Sequence, residues 1–138
     1  MPPPSASLGA TGVRPELSIL ICTCRRPEFL RALLAGLGAQ TGGPPHEIVV
    51  VDNDPGASAR ASVGDHSYVH EPRPGVSFAR NRAVAEARAA VVLFLDDDQL
   101  VSDGFLAALW SGWQARPAHQ RGLRLGLAAR LEAGVTPD

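Results

Sequence analysis

Three apolar runs in this chain show almost no alternation: Leu17-Ser-Ile-Leu-Ile-Cys-Thr-Cys24, Glu47-Ile-Val-Val-Val-Asp52 and Ala90-Val-Val-Leu-Phe-Leu95. A strand with one face in water alternates apolar and polar residues, whereas a strand apolar at successive positions is buried on both faces. Such strands belong to parallel sheets covered by helices on each side. The segments between the runs supply those helices. Pro27 suits a first helical turn, and Phe29, Leu30, Leu33, Leu34 and Leu37 follow at helical spacing. Gly36 and Gly38 weaken the end of that helix, and Gly42-Gly43-Pro44-Pro45 stops it.

After the second run, Asn53-Asp54-Pro55-Gly56 reads as a turn, residues 57–66 as a short helix or loop, and Ser67-Tyr-Val-His70 as a short strand. Pro72, Pro74 and Gly75 mark a loop. Ser77 is then a suitable N-cap for a helix from Phe78 to Ala89, whose Ala79, Ala83, Val84 and Ala87 form a small-residue face. A last helix is expected from Asp103 to Ala115, with Phe105, Leu106, Leu109 and Trp113 on one side. The order β-α-β-(α)-β-α-β-α predicts an α/β, Rossmann-like, mostly parallel sheet with helices on both faces.

At 138 residues the chain suits one domain, and 45% apolar residues can build a core. That domain is expected over residues 17–116, after a loose leader at 1–16 and before a tail at 117–138. The tail carries Leu123, Leu127 and Leu131 every fourth residue, the pattern of a short helix from His119 to Ala133. Thirteen basic against fourteen acidic residues give a net charge of −1, which argues against a general nucleic-acid binder. Every basic residue is Arg. Cys22 and Cys24 are two apart on a strand, badly placed to bridge, and are expected as reduced thiols in a cytoplasmic protein. No apolar run has the length of a membrane span, and the first residues lack signal-peptide features.

Three polar clusters follow three of the strands: Thr23–Arg26, Asp52–Asp54 and Asp96–Asp98. In an open parallel sheet these positions share one carboxyl edge, where ligands bind. Three adjacent carboxylates repel each other unless a cation compensates, and carboxylate oxygens suit Mg²⁺ or Mn²⁺. The alternative is a solvated acidic turn. Asp52 fits either a turn or a ligand contact, and Asp54, before Pro55, a turn. Arg80 and Arg82 fall early in a helix, where cations oppose the helix dipole. An anion explains Arg80, and an i,i+4 pair with Glu86 explains Arg82. The four histidines have no metal-like spacing, and Trp110 and Trp113 read as packing residues. Dinucleotide, P-loop and nucleophile-elbow signatures are absent.

With these residues in view, the chain resembles the family 2 glycosyltransferases of GT-A fold. The resemblance rests on Leu17–Pro27, Glu47–Asn53, Gly75-Val-Ser-Phe-Ala-Arg-Asn-Arg82 and Phe94-Leu-Asp-Asp-Asp98, in that order. It covers residues 17 to 115 and implies binding of a UDP-, GDP- or dTDP-sugar with Mn²⁺ or Mg²⁺, and sugar transfer to an unknown acceptor with inversion. By resemblance Thr23 and Arg25 line the nucleotide pocket, Asp52 meets the base or ribose, and Arg80 contacts the nucleotide. Asp96 and Asp98 are the ends of a D-x-D motif that holds ribose and metal, and Asp97 can take either place. Cys24 and Arg25 stand where the family commonly has an aromatic residue and Asn.

Relatives of this kind continue into an acceptor half with a catalytic carboxylate. Glu132 and Asp138 are the only carboxylates after Asp103, and neither sits in a matching motif, so no catalytic base is assigned. The expectation is a truncated chain, acting with a partner chain or only binding nucleotide and metal, in the cytoplasm or at the inner face of the membrane. A nucleotidyltransferase also uses Asp and Mg²⁺ at a sheet edge, but it usually carries a Gly-rich, Lys/Arg-containing loop after the first strand, which Arg25-Arg26-Pro27-Glu28 does not supply.

Overall fold

The computed structural model of the protein describes residues 14–120. The leader up to residue 13 and most of the expected tail helix lie outside them. Strands β1 (Leu17–Thr23), β2 (His46–Asp52), β3 (Ser67–His70) and β4 (Val91–Asp96) alternate with helices α1 (Pro27–Gly38), α2 (Val76–Glu86) and α3 (Phe105–Gln114). The segment between β2 and β3 contributes only a 3₁₀ turn, Arg60–Ser62. The strands form one sheet in the order β3-β2-β1-β4, and every pairing is parallel.

The two faces of the sheet separate by alternation along each strand. Leu17, Ile19, Ile21, Ile48, Val50, Leu93 and Leu95 face α1 and α3, which bury Leu30, Leu33, Leu37, Phe105, Leu106, Leu109 and Trp113 against them. Leu20, Val49 and Val51 face α2, where Ala79 and Ala83 let the helix approach closely. The unbroken runs of β1 and β2 thus follow from burial on both sides, whereas β4, at the edge of the described sheet, buries Leu93 and Leu95 and leaves Val92 and Phe94 only partly covered. No helix among the described residues is long and apolar enough to cross a membrane.

Three local expectations change. Phe29 is 56% exposed, because it lies about 100° round the helix from Leu30 and outside the stripe that Leu30, Leu33, Leu34 and Leu37 share. Val84 is exposed for the same reason beside Ala83. The third correction is α2 itself, which begins at Val76 with Gly75, not Ser77, at the N-cap. Gly75 has φ 135, a conformation open to glycine and strained for serine. The Asn53 side chain holds it there by accepting the Gly75 N–H at 3.1 Å.

The helix also stops at Glu86 rather than Ala89. The next amides are claimed from below. Arg88 N–H donates to Glu47 Oε2 at 2.7 Å, and Ala89 N–H donates to Ser18 Oγ at 3.0 Å. Ser18 in turn donates to Glu47 Oε2 at 2.6 Å. This buried polar group ties β1, β2 and the entry to β4 together at the amino edge of the sheet. It offers the amides stronger acceptors than another helical turn would.

Ile19→Ala should cost about 3 kcal/mol, since Ile19 is fully buried in the larger core. Phe29→Ala should stay within about 0.5 kcal/mol. Urea denaturation of the two variants beside the wild type checks both.

Candidate functional site

Because the sheet is parallel, the carboxyl ends of β1, β2 and β4 come together. Thr23 stands opposite Asp52, and Cys22 opposite Asp96. Beyond these ends opens a cleft of about 340 Å³ lined by Cys22, Thr23, Cys24, Arg26, Asn53, Val76, Ala79 and Asp96–Asp98. Its size lies in the range of small-molecule sites. Of the residues singled out from sequence, Thr23, Asp96, Asp97 and Asp98 meet here.

The acidic run is a turn with a defined interior. Gln99 closes it: its side-chain Oε1 accepts the Asp96 N–H at 2.6 Å, and its own N–H donates to Asp96 O at 3.0 Å. Asp97 points inward and accepts the Thr23 hydroxyl at 2.8 Å. Arg26 Nη1 lies 3.4 Å from Asp97 Oδ1 and 3.4 Å from Asp98 Oδ2. Burial pushes the Asp97 carboxyl above its usual range, and Asp98 and Asp96 push the same way, against Thr23 and Arg26. Asp98 is half-exposed. Beside them the Cys22 thiol is pushed up to about 11, chiefly by burial, and so is a neutral wall at physiological pH. Both cysteines are free thiols.

Two residues bracketed with the site from sequence are committed elsewhere. Asp52 is fully buried and takes three donors within the fold: Asp54 N–H at 3.1 Å, Ala59 N–H at 2.8 Å and the Tyr68 hydroxyl at 2.8 Å. Arg25 reaches away from the cleft to Asp54, with Nε 3.1 Å from Oδ1. Arg80 is exposed on α2, close enough for its charge to be felt at Cys22. Arg82 pairs with Glu86 at 3.1 Å, as the i,i+4 spacing predicts.

The sequence does not single out Gln99, and it places Arg26 and Asn53 on this edge only as members of their clusters, with no role of their own. Asn53 is a clamp. Its amide donates to Glu71 O at 2.9 Å and Arg73 O at 2.8 Å while its oxygen holds Gly75. One side chain so fixes the loop that aims the start of α2 at the cleft. Glu71, also buried, is gripped by Arg73 through Nε and Nη2, each at 3.0 Å. An Asn after a strand-closing Asp was a visible signal, but its partners lie eighteen to twenty-two residues away.

Among the described residues no three His, Cys, Asp or Glu side chains form a metal cage. Mg²⁺ and Mn²⁺ sites that take one or two carboxylates complete their shell with phosphate oxygens and water. The hard oxygen donors of Asp96–Asp98 fit a cation of that kind.

The family model described as Glycosyl transferase family 2 matches residues 18–120. Over 104 residues the chain is 36% identical to the succinoglycan biosynthesis protein ExoM of Rhizobium meliloti (strain 1021), a match covering 68% of this chain and 33% of that protein. Its fold is similar to the mannosyltransferase PcManGT of Pyrobaculum calidifontis, solved with GDP-Man and Mn²⁺. The TM-score is 0.61 at 26% identity, over 76% of this chain and 34% of that one. S. aureus TarS (1-349) shares the fold at TM-score 0.56 and 22% identity, over 78% of this chain and 38% of that one. The chain therefore spans about a third of the length of the relatives it matches.

The turn beneath the cleft carries an acid-sensitive contribution. Hydrogen bonds from Ser58, the Gly56 amide and Arg25 hold Asp54 down to about 2 from 3.8, and those from Arg73 hold Glu71 down to about 2 from 4.5. Folded-state values below the unfolded ones stabilise the protein above the unfolded pKa, and that stabilisation is lost as pH falls toward the folded value. Stability should thus decline between pH 4.5 and about 2. The difference between wild type and Asp54→Asn should shrink across that window. Urea midpoints taken at descending pH check it, and the comparison cancels the opposite contribution of Asp97.

Proposed function

The chain belongs to glycosyl transferase family 2, and from that membership and the cleft we propose that it holds the nucleotide-diphosphate end of an activated sugar. The observation that carries this reading is the meeting of Thr23, Arg26 and the Asp96–Asp98 turn at one parallel-sheet edge, around a cleft of suitable size. A nucleotide-diphospho-sugar needs a cation for its phosphates, and the carboxylates of the turn have the hard oxygen donors to hold one.

In this reading Asp98, half-exposed, and Asp96, at the end of β4, hold the cation. Thr23 keeps Asp97 turned inward by its hydroxyl, so the turn presents one arrangement of carboxylates. Arg26 supplies positive charge beside Asp97 and Asp98. Bound Mn²⁺ or Mg²⁺ supplies Lewis-acid stabilisation of the departing diphosphate. Asp52 supports the loop through Asp54 N–H, Ala59 N–H and Tyr68, and Asn53 sets the loop before α2. Transfer to the acceptor is proposed as a direct displacement with inversion. Mannose, as GDP-mannose, is one donor to test, since GDP-Man accompanies the P. calidifontis neighbour.

Calorimetric titration with GDP and with UDP, each with and without Mn²⁺, tests the reading. The expected result is binding of one nucleotide that depends on Mn²⁺, weakened at least about tenfold by Asp98→Asn. Thr23→Val should weaken it less, by about threefold, through a looser Asp97. A folded chain that binds neither nucleotide would overturn the proposal.

A further inference from the structure

Two adjacent arginines leave β1 and part company. Arg25 sits in the left-handed region at φ 57 and turns to Asp54. Arg26 turns into the cleft, where a single guanidinium nitrogen lies 3.4 Å from a carboxylate oxygen of Asp97 and 3.4 Å from one of Asp98. We infer that Arg26 is a tethered counter-cation of the acidic turn. It shields Asp97 and Asp98 while the cleft is without donor, opposes a divalent cation arriving alone, and passes to the diphosphate when cation and nucleotide enter together. The inference rests on the donor-site reading and adds to it an order of occupancy.

The geometry distinguishes this arginine from a structural one. Arg73 grips Glu71 with two different nitrogens, each at 3.0 Å, the fork that makes a locked pair. Arg26 instead spreads one nitrogen between two carboxylates at distances longer than charge-assisted hydrogen bonds prefer. Its side chain is 51% exposed, whereas that of Asp97 is 9% exposed, so the arginine is the partner with room to move. Asp97 does not depend on it for position, because the shorter Thr23 hydrogen bond at 2.8 Å anchors the carboxylate separately.

Charge supplies the direction of the handover. A divalent cation that enters without nucleotide meets the guanidinium already on Asp98, one of its two ligands, and on the neighbouring Asp97, and must displace it or suffer its repulsion. A nucleotide diphosphate changes the balance. It brings negative oxygens that match the guanidinium fork, so Arg26 gains a partner as it releases the carboxylates. Removing the side chain should therefore affect the two ligands in opposite senses, which loss of fold cannot do. The backbone role of Arg26, a carbonyl that accepts the Leu30 N–H at 3.0 Å, survives substitution of the side chain.

The test measures Mn²⁺ alone, by electron paramagnetic resonance of the free ion, and then GDP and UDP in the presence of Mn²⁺, by calorimetry. It compares the wild type with Arg26→Gln and Arg26→Lys, with melting curves for each. Arg26→Gln should bind Mn²⁺ alone about three- to tenfold more tightly and nucleotide about tenfold more weakly. Arg26→Lys keeps the charge but not the fork. It should leave Mn²⁺ affinity near the wild-type value and place nucleotide affinity between the other two. Unchanged or weaker binding of Mn²⁺ alone by Arg26→Gln, in a protein whose wild type still binds nucleotide with Mn²⁺, would overturn the inference and leave the donor site standing. A wild type that binds neither nucleotide overturns both.

Discussion

Parallel pairing of β1 with both of its neighbours is the constraint from which the site follows. β1 pairs residue for residue with β2 from Leu17 to Thr23 and with β4 from Leu17 to Cys22. All three strands run the same way, so their polar ends emerge side by side. Parallel strands need crossover connections, and those connections cover both faces of the sheet. The same requirement that makes the strands apolar throughout therefore exiles their chemistry to one rim. The opposite rim shows the complementary solution. There Ser18 and Glu47, both buried, bind the Arg88 and Ala89 amides and each other through Glu47 Oε2, a polar knot in place of a cleft.

The architecture was legible because it rests on periodicity. The unbroken runs at Leu17 and Glu47 and the stripe of Leu30, Leu33, Leu34 and Leu37 carry their burial in their spacing, while the run at Ala90 overstates it, because β4 lies at the edge of the described sheet and buries only alternate residues. The convergence of Thr23 with the Asp96–Asp98 turn followed from strand direction alone. What spacing could not supply was the partner of each polar group. Ser77 has the chemistry of an N-cap, yet the start of α2 is set by Asn53, twenty-two residues before Gly75. The end of α2 is likewise set by Glu47, forty-one residues before Arg88. These are tertiary hydrogen bonds that override a local preference.

Asp52 and Arg26 illustrate the same limit within the site. Both belong to the polar clusters that close strands. Asp52 turns inward to Asp54 N–H, Ala59 N–H and the Tyr68 hydroxyl, whose pKa is pushed up to about 12 by burial and by that hydrogen bond. Arg26 turns outward to the acidic turn. Nothing in the pair Arg25-Arg26 says which of the two will face the cleft. The choice is made by one backbone angle, φ 57 at Arg25, which sends the two side chains apart. A non-glycine residue in that region costs about 1 kcal/mol or more, and here the strained residue is tied down by its own partner, Asp54.

That strain gives the two arginines unequal freedom. Arg25 is held to a carboxylate that also accepts the Gly56 and Ser58 amides, so its partner belongs to a closed turn. Arg26 meets carboxylates whose other support comes from Thr23 and the Gln99 turn, so those acids keep their places without it. An edge that gathers Asp96, Asp97 and Asp98 needs positive charge at all times, and in the proposed reading an entering ligand replaces that charge. A guanidinium fixed as firmly as Arg73 on Glu71 would occupy the site permanently. A half-exposed one, joined by two long contacts, satisfies the acids in the free protein and can leave them.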